Sequence, residues 1–287
     1  MSINGILIIN KEKEWTSNDV VQKVKHLVNE KVGHTGTLDP MATGVLPLLI
    51  GKGTLCAKYL VNHDKKYQAT IQLGIKTDSA DIEGNILEKK EVNSAIFENV
   101  QNVLEEFKGK QKQTPPKYSA IKIKGKKLYE YARKGQEVEI PEREIEIYNI
   151  KLLNVDKKEE QINFEVQCSK GTYIRSLCED IAEKLGTIGF MKELNRTQVG
   201  DFYIENSIKI NELIEKNELI APSYISIEEF FKNKEKIELN EKAFQLFLNG
   251  VKLNNNKEDG VYRIYNNNKF IGTGIIKNKL LKRDVII

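Results

Sequence analysis

Gly33-His34-Thr35-Gly36-Thr37-Leu38-Asp39-Pro40-Met41-Ala42-Thr43-Gly44 is the stretch from which the rest of the chain is read. Three Gly, one Pro and three Thr in twelve residues argue against a regular helix or strand, so the segment reads as a loop. The apolar run Val45-Leu46-Pro47-Leu48-Leu49-Ile50 follows at once and pins the loop to a buried element. Asp39, between Leu38 and Pro40, is therefore a rigidly held acid. An Asp in such a setting is commonly a turn residue that bonds its own backbone. The glycines also suggest a phosphate cradle, but no Gly-Lys-Ser/Thr follows, and a P-loop is not supported.

Upstream, Gly5-Ile6-Leu7-Ile8-Ile9-Asn10 reads as a short strand, and Thr16-Ser17-Asn18-Asp19 has the form of a capping box. Val20, Val21, Val24, Leu27 and Val28 follow it at helical spacing. Downstream, Tyr67, Ala69, Ile71 and Leu73 alternate with polar residues as on a half-buried strand. Ile96, Phe97, Val100, Val103, Leu104 and Phe107 mark an amphipathic helix. Ile145 and Ile147, then Ile162, Phe164, Val166 and Cys168, mark two further strands. Ser169-Lys170-Gly171-Thr172-Tyr173-Ile174-Arg175 leads into a helical stripe that ends at Gly186. Strands and helices mix without a strict βαβ repeat, which predicts an α+β fold. The charge-rich stretch 228–236 reads as a linker to a small, strand-rich tail. The expected division is a domain of residues 1–230 and a tail of residues 231–287, which would be marginal alone and should pack on the first domain.

The 287 residues are 40% apolar and 30% charged, a globular balance that argues against disorder along the chain. No run approaches the ~20 apolar residues that span a bilayer. The start, Met1-Ser2-Ile3-Asn4-Gly5, has no basic region before a long apolar stretch, so a cytoplasmic protein without a secretory leader is expected. Cys56, Cys168 and Cys178 lack metal-ligand spacing and read as buried thiols. The net charge of +4 decides little, but its distribution does. Residues 108–134 hold ten basic residues and one acid, Glu130, with Tyr118, Tyr129 and Tyr131 interleaved. That pattern suits a nucleic-acid contact arm, since cations neutralise phosphates and tyrosines stack on bases. The tail repeats the bias: from Arg263 on, six basic residues stand against Asp284.

The loop, continued through Val45-Leu46-Pro47, resembles the signature of the TruB family of pseudouridine synthases. Four further stretches agree in order: Lys66-Tyr67-Gln68-Ala69, Leu73 to Gly84, Pro115-Pro116-Lys117-Tyr118-Ser119-Ala120-Ile121-Lys122, and Ser169 to Arg175. The likeness runs over about residues 5–205 and includes Arg196 to Phe202. One departure stands near the start: the family usually has Asp-Lys-Pro, and a Gly before its Thr-Ser, where this chain has Asn10-Lys11-Glu12-Lys13-Glu14-Trp15.

The resemblance implies a mainly antiparallel catalytic domain with a basic insertion at about 108–142 and a small β-rich, PUA-like RNA-binding domain at the C-terminus. It implies isomerisation of a uridine to pseudouridine in the T-loop of tRNA, at position 55. The reaction exchanges a C–N for a C–C bond on one base, so no cofactor and no metal are required. Asp39 would be the nucleophile or base, and Arg175 the cation that keeps it charged. Tyr67 would pack over the base and pass on a proton. Tyr173 and Leu194 would line the pocket, His34 would fill the space the everted base leaves, and Lys117 and Lys122 would hold the RNA. Whether Asp39 adds to C6, attacks C1′ or removes a sugar proton stays open. The expected partner is the T-arm stem-loop, bound by a monomer without protein partners or membrane. An RNA-folding helper and a guide-RNA-dependent enzyme are the alternatives. The intact Asp39 favours catalysis over the first, and the compact length favours a stand-alone enzyme over the second.

Overall fold

In the computed structural model, which describes residues 3–287, strand β1 (Gly5–Lys11) opens the main sheet. Met1 and Ser2, where the leader reading begins, lie outside the described residues. Ile6, Leu7, Ile8 and Ile9 are all buried because the sheet is covered on both faces. Leu7 and Ile9 join one apolar cluster and Ile6 and Ile8 another, the period-2 signature of a strand. Helix α1 (Ser17–Val28) starts at the expected capping box: Thr16 accepts from the Asp19 N–H, and the Asp19 carboxylate accepts from the Thr16 N–H.

The glycine-rich stretch is less of a loop than its composition suggests. Its ends are drawn into strands β2 (Val32–His34) and β3 (Thr43–Ile50), which pair antiparallel with His34 opposite Leu48. Only residues 35–42 remain irregular. After a one-turn helix, α2 (Ala57–Leu60), come strand β4 (Lys65–Leu73) and a hairpin of β5 (Ile75–Thr77) and β6 (Ile86–Lys89). The predicted helix over 96–107 is split at Asn99 into a 3₁₀ turn (Ser94–Glu98) and helix α3 (Val100–Glu106).

The basic segment also divides. Residues Gly109–Gln113 form β7, an edge strand of the main sheet, with Lys110 and Lys112 on its solvent face. Beyond it lies a small hairpin of β8 (Lys122–Ile123) and β9 (Lys126–Lys127), followed by helix α4 (Leu128–Ala132). The chain returns to the sheet through β10 (Arg143–Asp156) and β11 (Gln161–Cys168), then helix α5 (Ile174–Lys184) and strand β12 (Gly189–Val199).

The eight-strand path of the main sheet runs Ile208–Lys209, β1, β3, β12, β4, β11, β10, β7. Its pairs are antiparallel except β3–β12 and β1–Ile208–Lys209, so the fold is α+β with a mainly antiparallel sheet. Apolar residues of α1, α3 and α5 share one core with β3, β4 and β12. A five-stranded sheet and the helix Glu241–Leu248 complete the chain. The expected linker is in fact ordered: Ile227–Phe230 is a helical turn, Phe231 is buried, and Lys236–Glu238 is a strand of the second sheet. Phe231, Ile227 and Cys56 pack with Tyr265, Phe270 and Val285, which docks the tail onto the first domain. Asp284 reinforces that junction, accepting from Lys58, Tyr59 and Thr273.

One transverse row of the main sheet matters for function. Lys11 pairs with Gly44, Gly44 with Arg196, and Arg196 with Tyr67, so four adjacent strands bring these residues into line. Gly44 has φ +107, and a Cβ there would lie 2.2 Å from the Arg196 carbonyl oxygen. Only glycine permits this approach. Lys11 and Arg196, two of the largest fully buried side chains, flank the loop that carries Asp39.

Candidate active site

The loop of residues 35–42 is anchored by its apolar members and clamped by its carbonyls. Leu38, Met41 and Ala42 are buried in the main core, which leaves Asp39 and Pro40 at the rim. Arg196 donates to the carbonyls of Val45 at 2.8 Å, Gly36 at 3.0 Å and Thr37 at 3.4 Å. The Lys11 ammonium donates to Trp15 at 2.7 Å, Glu12 at 3.0 Å and Pro40 at 3.1 Å. Ser17 Oγ accepts from the Leu38 N–H at 2.8 Å and donates to the Leu38 carbonyl at 3.0 Å. Buried cations are costly unless fully hydrogen-bonded, and here each is spent on main-chain oxygens of the loop or its flank.

The departure from the family pattern at Glu14 leaves this clamp intact. Glu14 takes φ 71, the left-handed region where a glycine is at ease, and its N–H donates to the Pro40 carbonyl at 3.1 Å. The turn therefore keeps its shape at the cost of about 1–2 kcal/mol of local strain.

Asp39 faces Arg175. The guanidinium Nε lies 3.1 Å from Asp39 Oδ2, and Nη2 donates to Oδ1 at 3.4 Å. The Arg175 side chain is 8% exposed and that of Asp39 31%, so the cation is sealed in and the carboxylate looks outward. Arg175 is fixed from behind by Asp81 at 3.4 Å, by the Ser79 carbonyl at 3.3 Å and by the Tyr118 carbonyl at 3.0 Å. Asp81 is itself buried and accepts from the Glu83 N–H at 3.1 Å. Arg175 is thus a buried residue of its helix, not a solvated one. Burial pushes the Asp39 carboxyl above the ordinary aspartate range, while Arg175 pulls it back and Asp81 adds to the rise. Burial lowers the Lys11 ammonium to about 8, even with Asp39 nearby.

Tyr67 is buried rather than half-buried, in register with Arg196, and burial raises its phenol to about 12. It therefore stays a neutral hydroxyl, with the Arg196 guanidinium within hydrogen-bonding reach. Tyr173, at the start of α5, lies within the field of both Asp39 and Arg175. Leu194 pairs with Ala69 on β4 and sits in the core cluster that includes Tyr67, Leu38 and Met41. His34 ends β2 with Nδ1 buried and unpartnered; burial and Arg196 lower its pKa, so it is neutral. Lys117 and Lys122 are exposed, Lys117 on a cavity of about 1020 Å³ that Tyr118 also lines and Lys122 on the hairpin.

The structure thus brings Asp39, Arg175, Tyr67 and Tyr173 to one rim. It adds three residues to which the sequence reading gave no role: Lys11, Asp81 and Arg196. Asp81 and Arg196 lie in stretches that resemble the family, but their contacts with Arg175 and with the Asp39 loop join residues far apart in sequence. Among the described residues no cluster of three His, Cys, Asp or Glu side chains is arranged to hold a metal ion. The three cysteines are buried free thiols. What the rim offers chemically is an oriented carboxylate, a buried countercharge and an aromatic wall.

Comparison with known proteins accords with this geometry. Residues 24–174 match the N-terminal domain of TruB family pseudouridylate synthases. Residues 175–225 match the tRNA pseudouridylate synthase B C-terminal domain, and residues 236–282 a C-terminal module of pseudouridine synthase II TruB. A tRNA pseudouridine synthase B from Clostridium tetani is 45% identical over 281 residues, 95% of each chain. One from Caldanaerobacter subterraneus is 42% identical over 98% of each chain. Among solved structures, one of a Cbf5-Nop10-Gar1 complex superposes with a TM-score of 0.67 at 26% identity, covering 94% of this chain and 78% of that one. With fold, rim and matches in agreement, the chain belongs to the TruB family of pseudouridine synthases.

Proposed function

We propose that this enzyme converts the T-loop uridine at position 55 of tRNA to pseudouridine, with Asp39 as the reacting carboxylate. The observation that carries the reading is the ion pair of a sealed Arg175 with a partly open Asp39 on a clamped loop. The relatives named tRNA pseudouridine synthase B supply the substrate class. In the reaction the C1′–N1 bond breaks, the base turns, a C1′–C5 bond forms, the C5 proton leaves and N1 gains a proton. No electrons or external groups are exchanged.

Asp39 acts as nucleophile or base at C6 or the sugar, kept ionised by Arg175. Its clamped loop holds it where the base arrives, so little reorganisation is needed. The Tyr67 ring packs on the base, and its neutral hydroxyl can relay the C5 proton but is no strong base near pH 7. Tyr173 and Leu194 close the pocket, and neutral His34 occupies the gap in the RNA stack. Eversion of the base costs a few kcal/mol, least in a loop, which favours a stem-loop over a duplex.

The lysine hairpin supports the choice of a polyanion. Lys122 stands directly opposite Lys127 across β8 and β9, with Lys124 and Lys126 at the exposed turn. Like charges in register are unfavourable until phosphates neutralise them. Lys117 and Lys122 contact the backbone of the T-arm in this reading, and the basic C-terminal module extends the contact. The test is incubation with a T-arm stem-loop transcript and mapping of the product. Pseudouridine at the position-55 uridine alone is expected; conversion elsewhere, or none, overturns the assignment.

A further inference from the structure

We propose that Gln113 is a positioning residue for the catalytic pair, acting as an external cap that fixes the start of α5. The inference rests on the reading of Asp39 and Arg175 given above.

Helix α5 begins beside Tyr173, which has no side-chain cap of its own, and Arg175 is the second residue of the helix. A helix start leaves main-chain N–H groups without partners, and an unfixed first turn frays. Gln113, on another element, partners one of these groups, the Tyr173 N–H, and also grips the Tyr173 carbonyl, which accepts the first bond of the helix from the Leu177 N–H. Its Oε1 accepts from the Tyr173 N–H at 2.8 Å, and its Nε2 donates to the Tyr173 carbonyl at 3.0 Å. The side chain is buried, and its backbone closes β7 in register with Arg143 of β10. An amide alone can donate and accept at this spacing; a carboxylate can only accept, and an alkyl chain can do neither.

The next residues extend the attachment. Ser176 Oγ donates to the Thr114 carbonyl at 2.8 Å, and Arg175 Nη2 donates to the Tyr118 carbonyl at 3.0 Å. Tyr173, Arg175 and Ser176 are thus all tied to the segment that runs on from β7. Gln113 is the side chain that begins this seam. It touches neither reacting carboxylate nor base, yet it sets where the Tyr173 ring and the Arg175 guanidinium point.

The experiment compares Gln113→Leu, Gln113→Glu and Asp39→Asn with the unaltered enzyme on a T-arm stem-loop, over a range of pH. For Gln113→Leu, kcat should fall roughly tenfold or more through misplacement of Arg175, with KM within about threefold. Its acidic limb should move to higher pH, because a less firmly held cation lowers the Asp39 pKa less. Gln113→Glu keeps the bond from the Tyr173 N–H but loses the one to its carbonyl, so its kcat should lie between those of the unaltered enzyme and Gln113→Leu, with a lowered melting temperature. If Gln113→Leu fails to fold, Gln113→Glu decides. Folded Gln113 variants with unaltered kcat and acidic limb, while Asp39→Asn is inactive, overturn the proposal alone. An active Asp39→Asn overturns the underlying reading instead.

Discussion

Asp39 sits under two opposed influences: burial favours its neutral form and Arg175 its charged form. Activity that needs the carboxylate must therefore fall as pH drops through a pKa above the ordinary aspartate value. Removing the cation while keeping its bulk, as in Arg175→Met, takes away the influence that lowers this pKa. The acidic limb of kcat should then shift upward by ~1 unit or more. Turnover should drop by about 10²–10³ with RNA affinity nearly retained, since Arg175 is sealed from solvent. Equal losses in turnover and affinity would make Arg175 a phosphate contact. Asp39 and Arg175 were legible because each stands in a distinctive local string. Lys11 and Arg196 were not, since a charged residue on a strand reads as solvated until its register is known; nor was Asp81, a turn acid whose contact with Arg175 is far away in sequence. Arg196 lies in the stretch that resembles the family, yet nothing local signals that two loop carbonyls and that of Val45 on β3 converge on it.

Among the elements, the loop of residues 35–42 depends on side chains supplied by others. Ser17, in the first turn of α1, both donates to and accepts from Leu38, the residue before Asp39. Ser17→Ala leaves a buried N–H and carbonyl unpaired and should cost about 1–3 kcal/mol in urea unfolding. It should also lower turnover, because the loop loses its fixed point next to Asp39. Unchanged stability would show that water replaces the hydroxyl. The capping box that starts α1 was readable from four consecutive residues, being a local device. Strand β2 was not, because the same glycines that open the loop also tolerate pairing with β3. The break in the predicted helix at Asn99 likewise escaped periodicity, which counts apolar positions and not the turn between them.

For the whole molecule, charge is distributed according to task. The sealed cations Lys11, Arg175 and Arg196 hold the loop and Asp39, while Lys122, Lys124 and Lys126 of the hairpin are exposed. Neutralising Lys122, Lys126 and Lys127 together should weaken stem-loop binding and flatten its salt dependence by roughly 0.7–0.9 log-log units for each phosphate that the hairpin no longer neutralises. An unchanged slope would leave the hairpin as a solvated surface. Composition located the basic segment but not its division, because lysines on the outer face of edge strand β7 look the same in sequence as those of the hairpin. Packing of the tail was predictable from its small size. The junction itself joins Asp284 to Lys58 and Tyr59, more than two hundred positions away, and has no local signature.

The most direct measurement compares Asp39→Asn with the unaltered enzyme on one T-arm stem-loop, following pseudouridine formation and RNA binding in parallel. The substitution preserves shape but replaces one carboxylate oxygen by an NH2 group, which removes the negative charge. Conversion below detection with affinity close to that of the unaltered enzyme is expected; conversion at a comparable rate would show that Asp39 is not the reacting carboxylate.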